Sequence, residues 1–265
     1  MKFLAESSDL QYFTNASTGV KAAIIVVGIF IAVCGVISII VSIALAIKYH
    51  VYNKTQNSAG LTGEQAARKL LDDNGLQHIR VTKTGSLLFG NSYSHYFKKI
   101  RLRRLTYKKT SITSLAMAAE KTSLAVMDKE GDPDMKKRIR LVPLVTFGPY
   151  AFIPLIFIGV ILDIIMFNGS GVVTLIFAGI GILFYVFAFV LTLMTLKTEM
   201  KAQKRAYEVL RNSNMATEDE IKMMEKLFKL YNIEYINDMV LAFLEILYRV
   251  LMIVARAQSS SSSSR

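Results

Sequence analysis

The residues able to do chemistry in this sequence are few, and their spacing decides what each could do. His50, His78 and His95 are the only histidines, and no two stand one helical turn apart. Two imidazoles on one helix face are the usual start of a zinc site, so these read as surface or packing residues. Cys34 is the single cysteine and has no second thiol to pair with. Glu120 and Lys121 sit side by side within Thr113 to Asp128, T-S-L-A-M-A-A-E-K-T-S-L-A-V-M-D, and read first as a solvated helix face. Lys98, Lys99, Arg101, Arg103, Arg104, Lys108 and Lys109 form a basic run. Alternation along a strand would put several of these bases on one face, where each gains about 1 kcal/mol near anionic headgroups. Nucleic-acid binding has the same charge signature, but no aromatic platform or recognised motif accompanies the run. Lipid contact is therefore preferred, and no nucleic-acid partner is expected.

Hydropathy shows what must position these groups. Apolar residues make up 52% of the chain, yet its formal charge is +12, so the apolar residues must be segregated from the bases. They fall into runs that meet the roughly 20 residues needed to cross a bilayer. Residues 22–47 form the first, 141–167 the second, and 171–196 a third without charge. Pro143, Pro149, Pro154 and Asp163 interrupt the second. Cys34 lies inside the first, which is too long for a removable signal peptide. Tyr235 to Val254, within 235–256, is a fourth candidate. Glu234, Asp238, Glu245 and Arg249 fall within about 60° on a helical wheel, one polar stripe on an apolar helix. That suits an interfacial helix or a span whose stripe faces other helices.

The predicted fold is a mostly α membrane protein with three or four transmembrane helices and a small cytoplasmic α/β domain. Its segments are an extracytoplasmic N-terminus (1–21), a first span (22–47), a basic cytoplasmic domain (48–140), a hairpin (141–196), cytoplasmic helices (197–234), a fourth span (235–256) and a disordered serine tail (257–265). Lys and Arg dominate 48–140 and the segment after the third span, whereas the Asn168-Gly169-Ser170 loop is uncharged, so the basic segments are assigned to the cytoplasm. Thr62 with Gln65 reads as a capping box opening a helix that Asn74-Gly75 ends. Thr217 with Glu220 opens another, running to about Leu230. Residues 81–85 and 97–103 read as short strands joined by turn-rich sequence. Thr110 or Ser111 caps the helix over 111–130, which Asp132-Pro133 ends.

Two stretches carry a family resemblance. Y-N-K-T-Q-N-S-A-G-L-T-G-E-Q-A-A-R-K-L-L-D-D-N-G-L, Tyr52 to Leu76, is close to a segment of the bacterial membrane zinc metallopeptidases known as YugP-like neutral zinc metallopeptidases. Thr113 to Asp128 resembles that family's His-Glu-x-x-His helix, and Ile100 to Leu102 its V-R-L strand. The resemblance spans about Tyr52 to Arg256 and implies a zinc peptidase in which two histidines hold the metal and the glutamate is the base. Aligned on Ala118 and Ala119, the histidine positions hold Glu120 and Leu124, and the glutamate position holds Lys121. Ser92-Tyr93-Ser94 stands where the family has His-Tyr-Asp. Glu199 keeps the third-ligand position, with Ala202 after it, but Gln203 replaces a small residue. By the same analogy Glu199 could pair with a base such as Lys121.

The resemblance implies a peptidase frame without catalytic residues, metal ligands or cofactor, although the family would use zinc. The leading expectation is a pseudopeptidase, a scaffold that binds a protein partner in the membrane through a cleft lined by Glu120, Lys121, Ser123 and Glu199. Such cleft-lining groups would tolerate alanine. One alternative is an active zinc metallopeptidase with atypical ligands. The other is a membrane anchor that recruits an acidic partner through the basic domain, with Lys98, Lys99, Arg101, Arg103 and Arg104 at the membrane surface.

Overall fold

The computed structural model describes residues 12–85, 90–167 and 172–262. Residues 1–11 of the N-terminus, the Asn168–Ser170 loop and the last three residues of the serine tail lie outside them. The chain order is α1 (Thr18–Lys54), α2 (Gly63–Asp73), β1 (Arg80–Thr84), β2 (Ser92–Ser94), β3 (Lys99–Arg103), α3 (Arg104–Lys108), α4 (Ile112–Lys129), α5 (Pro133–Phe167), α6 (Val172–Asn212) and α7 (Glu218–Ser262). It is mostly helical, with one small sheet. Among the described residues one helix, α1, is long and apolar enough to cross a bilayer.

Two compact units divide the chain. The first joins residues up to Ile43 with Ile233 onward. Here α1 and the bend before it meet the later part of α7 through Ala16, Ile24, Met252 and Ala255. The polar stripe of α7 turns to hydroxyls of α1: Ser42 donates to Glu234 at 2.9 Å and Ser38 to Asp238 at 3.4 Å. Asn237, buried beside that stripe, donates to the Cys34 carbonyl at 3.1 Å.

The second unit, Ala44–Asn232, holds the larger core. Local chemistry sets its helix ends. Thr62 and Gln65 form the expected reciprocal capping box, and Gly75 leaves the helix at φ 65°. Gly63 has a second reason to be glycine, since a Cβ there would lie 2.1 Å from the Thr106 carbonyl oxygen of α3. Ser111 caps α4 by accepting from the Ser114 N–H. Thr217 and Glu220 cap α7, and Glu220 also accepts from the Ser58 N–H and hydroxyl at 2.6 Å each. The sheet order is β1-β3-β2, with β1 parallel and β2 antiparallel to β3. Tyr93, Ile100 and Leu102 enter the core. α4 packs on α2 and α6, while α5 and α6 pack along each other.

Four expectations are corrected. Ser92–Ser94, read as turn-rich, is a strand, because Tyr93 alternates inward between two serines. Phe97 and Lys98 belong to the turn before β3, where Lys98 sits at φ 44°. α7 shows no break near Leu230, since no Gly or Pro lies there to end it. The serine tail is not disordered throughout: α7 extends through Ser262, continuing the hydrogen-bonded ladder already established upstream.

Candidate functional site

Small residues bring the candidate site together. Ala116, Ala118 and Ala119 of α4, Ala66 and Ala67 of α2, and Ala202 and Ala206 of α6 are all buried. Short side chains at a contact allow helix axes to approach closely. That approach carries charged groups of α4 and α6 into one interface. The Lys121 ammonium lies 3.0 Å from a Glu120 oxygen and 3.0 Å from a Glu199 oxygen. Arg138, from the first turns of α5, takes the other Glu199 oxygen through both Nε and Nη2. Gln203 donates to the second Glu120 oxygen at 3.2 Å and exchanges hydrogen bonds with Asn232 at 3.1 and 2.7 Å.

Glu120 is 4% exposed, so the solvated face expected for Glu120 and Lys121 is corrected. The helix is apolar or small on all sides of this charged pair, and the pair is matched by Glu199 of α6. Ser123 is fully buried and donates to the Ala119 carbonyl one turn back, so it presents no hydroxyl to a cleft. Leu124, which the resemblance aligns with the second histidine, is fully buried in the apolar core.

The electrostatics follow from this packing. Burial raises the Glu120 pKa, and the nearby Glu199 charge adds to the rise, more than Lys121 and Gln203 offset. Burial opposes charge on Glu199 as well, but Lys121 and Arg138 together hold it down at about 2. Burial works against the Lys121 ammonium, yet the two carboxylates outweigh it and raise its pKa. Glu199 is thus the fixed anion, Lys121 a fixed cation, and Glu120 the group whose proton is least settled.

A metal does not fit these residues. A catalytic zinc takes three protein ligands carrying lone pairs. Glu120, Glu199 and Leu124 offer two carboxylates already joined by an ammonium, and a leucine. Among the described residues no group of three His, Cys, Asp or Glu is placed to hold a metal ion.

A second cluster stands at the other end of α4. Tyr93 donates to Asp128 at 2.6 Å, the His95 Nδ1 lies 2.6 Å from the same oxygen, and Lys98 is 3.6 Å from it. Burial pushes Asp128 up, but these donors outweigh it and leave its pKa lowered. Of the basic run, Lys99, Arg101 and Arg103 share one side of β3, Lys98 turns to Asp128, and Arg104 begins α3. His50 and His78 join neither cluster. Arg138, Asn232 and the Asp128 group carried no motif; the replacement of a small residue by Gln203 was the one visible signal.

The frame is thus a small α/β unit whose Glu120–Lys121 helix is held between two others, with a Glu from α6 reaching its centre. The family model described as Putative neutral zinc metallopeptidase matches residues 25–254, and the chain belongs to that family. It is also similar to a Putative membrane protease YugP of Bacillus subtilis (strain 168), at 26% identity over 201 residues, covering 76% of this chain and 84% of that protein. No solved structure matches significantly.

Proposed function

We propose that this chain is a catalytically silent membrane member of its family, a pseudopeptidase acting as a protein-binding or scaffold subunit. The Lys121 ammonium, bridging Glu120 and Glu199, carries the reading. Zinc peptidases act through a metal-bound water and a carboxylate base. At the base position this chain has a cation, which repels a metal ion and accepts no proton. The frame that remains, α4 held between α2 and α6, offers surfaces to a partner without a means of cleaving it. The test is elemental analysis of the purified full-length protein after a chelator wash, with a cleavage assay on a denatured protein. No stoichiometric zinc and no cleavage are expected. A near-equimolar, chelator-resistant zinc signal overturns the proposal in favour of an active peptidase with atypical ligands.

The same proposal includes three or four spans: 22–47, 141–167, 171–196 and, within α7, Tyr235–Val254. Ile165 and Leu183 of α5 and α6 are 73% and 69% exposed, apolar surface that a bilayer would cover. Glu234 and Asp238 bond to α1 hydroxyls, as intramembrane carboxylates must find polar partners. The basic segments 48–140 and 197–234 would face the cytoplasm. An Asn168→Cys variant should then react with an impermeant thiol reagent in intact cells, and Lys99→Cys only after permeabilisation. The opposite pattern inverts the topology.

A further inference from the structure

The three-stranded sheet has two faces of opposite character. Ile100 and Leu102 of β3 enter the core, so Lys99, Arg101 and Arg103 project from the other face. The parallel register sets Arg80 beside Lys99 and Thr84 beside Arg103. The antiparallel register sets Ser92 and Ser94 beside Arg101 and Lys99. The described strands themselves carry only bases and short hydroxyls on this outer face, while Glu64 and Asp72 of α2 line a pocket with Arg80 at its β1 edge. At one end of it, β2 turns into β3 through residues 95–98, where Tyr96 and Phe97 are 68% and 64% exposed. His95 and Lys98 tie that turn to Asp128, which holds it in place while both rings protrude. The Lys99 ammonium lies 5.0 Å from the Phe97 ring centroid, linking the protruding ring to the basic face.

We propose that this turn and sheet face form a lipid-contact surface, Tyr96 and Phe97 entering the headgroup–acyl boundary while Arg80, Lys99 and Arg103 meet anionic headgroups. Aromatic rings favour that boundary, and basic side chains beside them gain from anionic lipid. A single-stranded nucleic-acid reader stacks bases on aromatic rings across its sheet. Among the described residues the sheet face has no ring, and Tyr96 and Phe97 stand at its end as a wedge. The surface is independent of whether the Glu120–Lys121 site is silent.

The chain has no tryptophan, so Phe97→Trp gives the full-length protein a single tryptophan whose emission can be excited apart from the tyrosines. In nanodiscs containing phosphatidylglycerol, its emission should shift to the blue and be quenched by lipids bearing a nitroxide high on the acyl chain. Both effects should shrink in pure phosphatidylcholine. Adding Lys99→Gln or Arg103→Gln should weaken the lipid-bound population roughly fivefold per base. Tyr96→Trp provides an independent reporter that leaves the Phe97–Lys99 contact intact. Water-like emission from both reporters without quenching in anionic discs overturns the proposal. Equal quenching in both lipids removes the basic face from it. A shift caused by single-stranded RNA and not by lipid overturns it in favour of a nucleic acid.

Discussion

Helix α4 carries two carboxylates two turns apart, Glu120 and Asp128, whose side chains are 6% and 12% exposed. The pKa is raised at Glu120, the more deeply enclosed of the two, and lowered at Asp128. Depth contributes to the opposite signs, and so does the number of donors per carboxylate. Glu120 shares its one cation, Lys121, with a second anion, Glu199, and otherwise receives only the neutral Gln203 amide. Asp128 has Tyr93, His95 and Lys98 to itself. A buried acid keeps its charge when donors outnumber the competing anions, and tends to take a proton when they do not. The Glu120–Lys121–Glu199 cluster is therefore closed on itself, whereas the one under the β2–β3 turn meets solvent through its half-exposed histidine.

The severest way to break this comparison is Lys121→Ala. It leaves Glu199 facing only Arg138 and strips Glu120 of its cation. Removing one partner of a buried ionic group costs about 3–5 kcal/mol, and denaturant melts in detergent should register a loss of that size. A loss below about 1 kcal/mol would mean that the interface opens to solvent.

Two carboxamide variants sharpen it. Glu199→Gln removes the anion that two cations share and should cost several kcal/mol. Glu120→Gln should cost about 1 kcal/mol, because an amide resembles the protonated acid that this site favours. Their pH dependences run in opposite directions. Glu120 has a raised folded pKa, so its contribution is fully present below its ordinary 4.5 and is lost as pH rises through the raised value. Glu199 contributes above 4.5 and loses that contribution as pH falls toward about 2. As pH drops from neutral toward 4.5, wild type should gain stability relative to Glu120→Gln, whereas its margin over Glu199→Gln should persist. A margin over Glu120→Gln that shrinks on acidification would show that Glu120 is an ordinary anion.

What the sequence made legible was local. Helix ends at Thr62, Asn74, Ser111 and Thr217 could be read because a cap is decided by neighbours a few residues away. The membrane-length helix could be read because length and composition suffice. The Lys121–Glu199 pair came within reach only through the family resemblance, since 78 residues separate its partners. Arg138 looked like one more base in a topology signal, although it closes the site. Glu120 and Lys121 were assigned to solvent because charged residues are seldom fully buried. The contrary sign was available: Thr113 to Asp128 has small or apolar residues on all sides and no polar stripe, the pattern of a helix enclosed by others. β2 escaped because three residues, two of them serine, carry little strand signal.

Asp128→Asn probes the other side of the comparison with an intermediate effect. The amide still accepts from Tyr93, but the charge that attracts His95 and Lys98 is gone. Hydrogen bonds to charged groups are worth about 1.5–3 kcal/mol, and a loss in that range is expected. Asp128 has a lowered folded pKa, so its contribution is present above its ordinary 3.8 and lost as pH falls through the lowered value. The deficit of Asp128→Asn against wild type should therefore be constant near neutrality and close only in strong acid.

The smallest effect is expected at His95→Ala. The imidazole is 35% exposed and is one of three partners of Asp128, so its removal leaves Tyr93 at 2.6 Å and Lys98 at 3.6 Å. Half-exposed ionic contacts are worth about 1 kcal/mol or less, and salt screens them. The loss should stay below about 1 kcal/mol in melts at low salt and shrink further at high salt, where the cost of Lys121→Ala should hardly change. If His95→Ala instead costs as much as Asp128→Asn, the three donors act as one cooperative unit. The contrast between a sealed cluster and an open one would then fail at its open end.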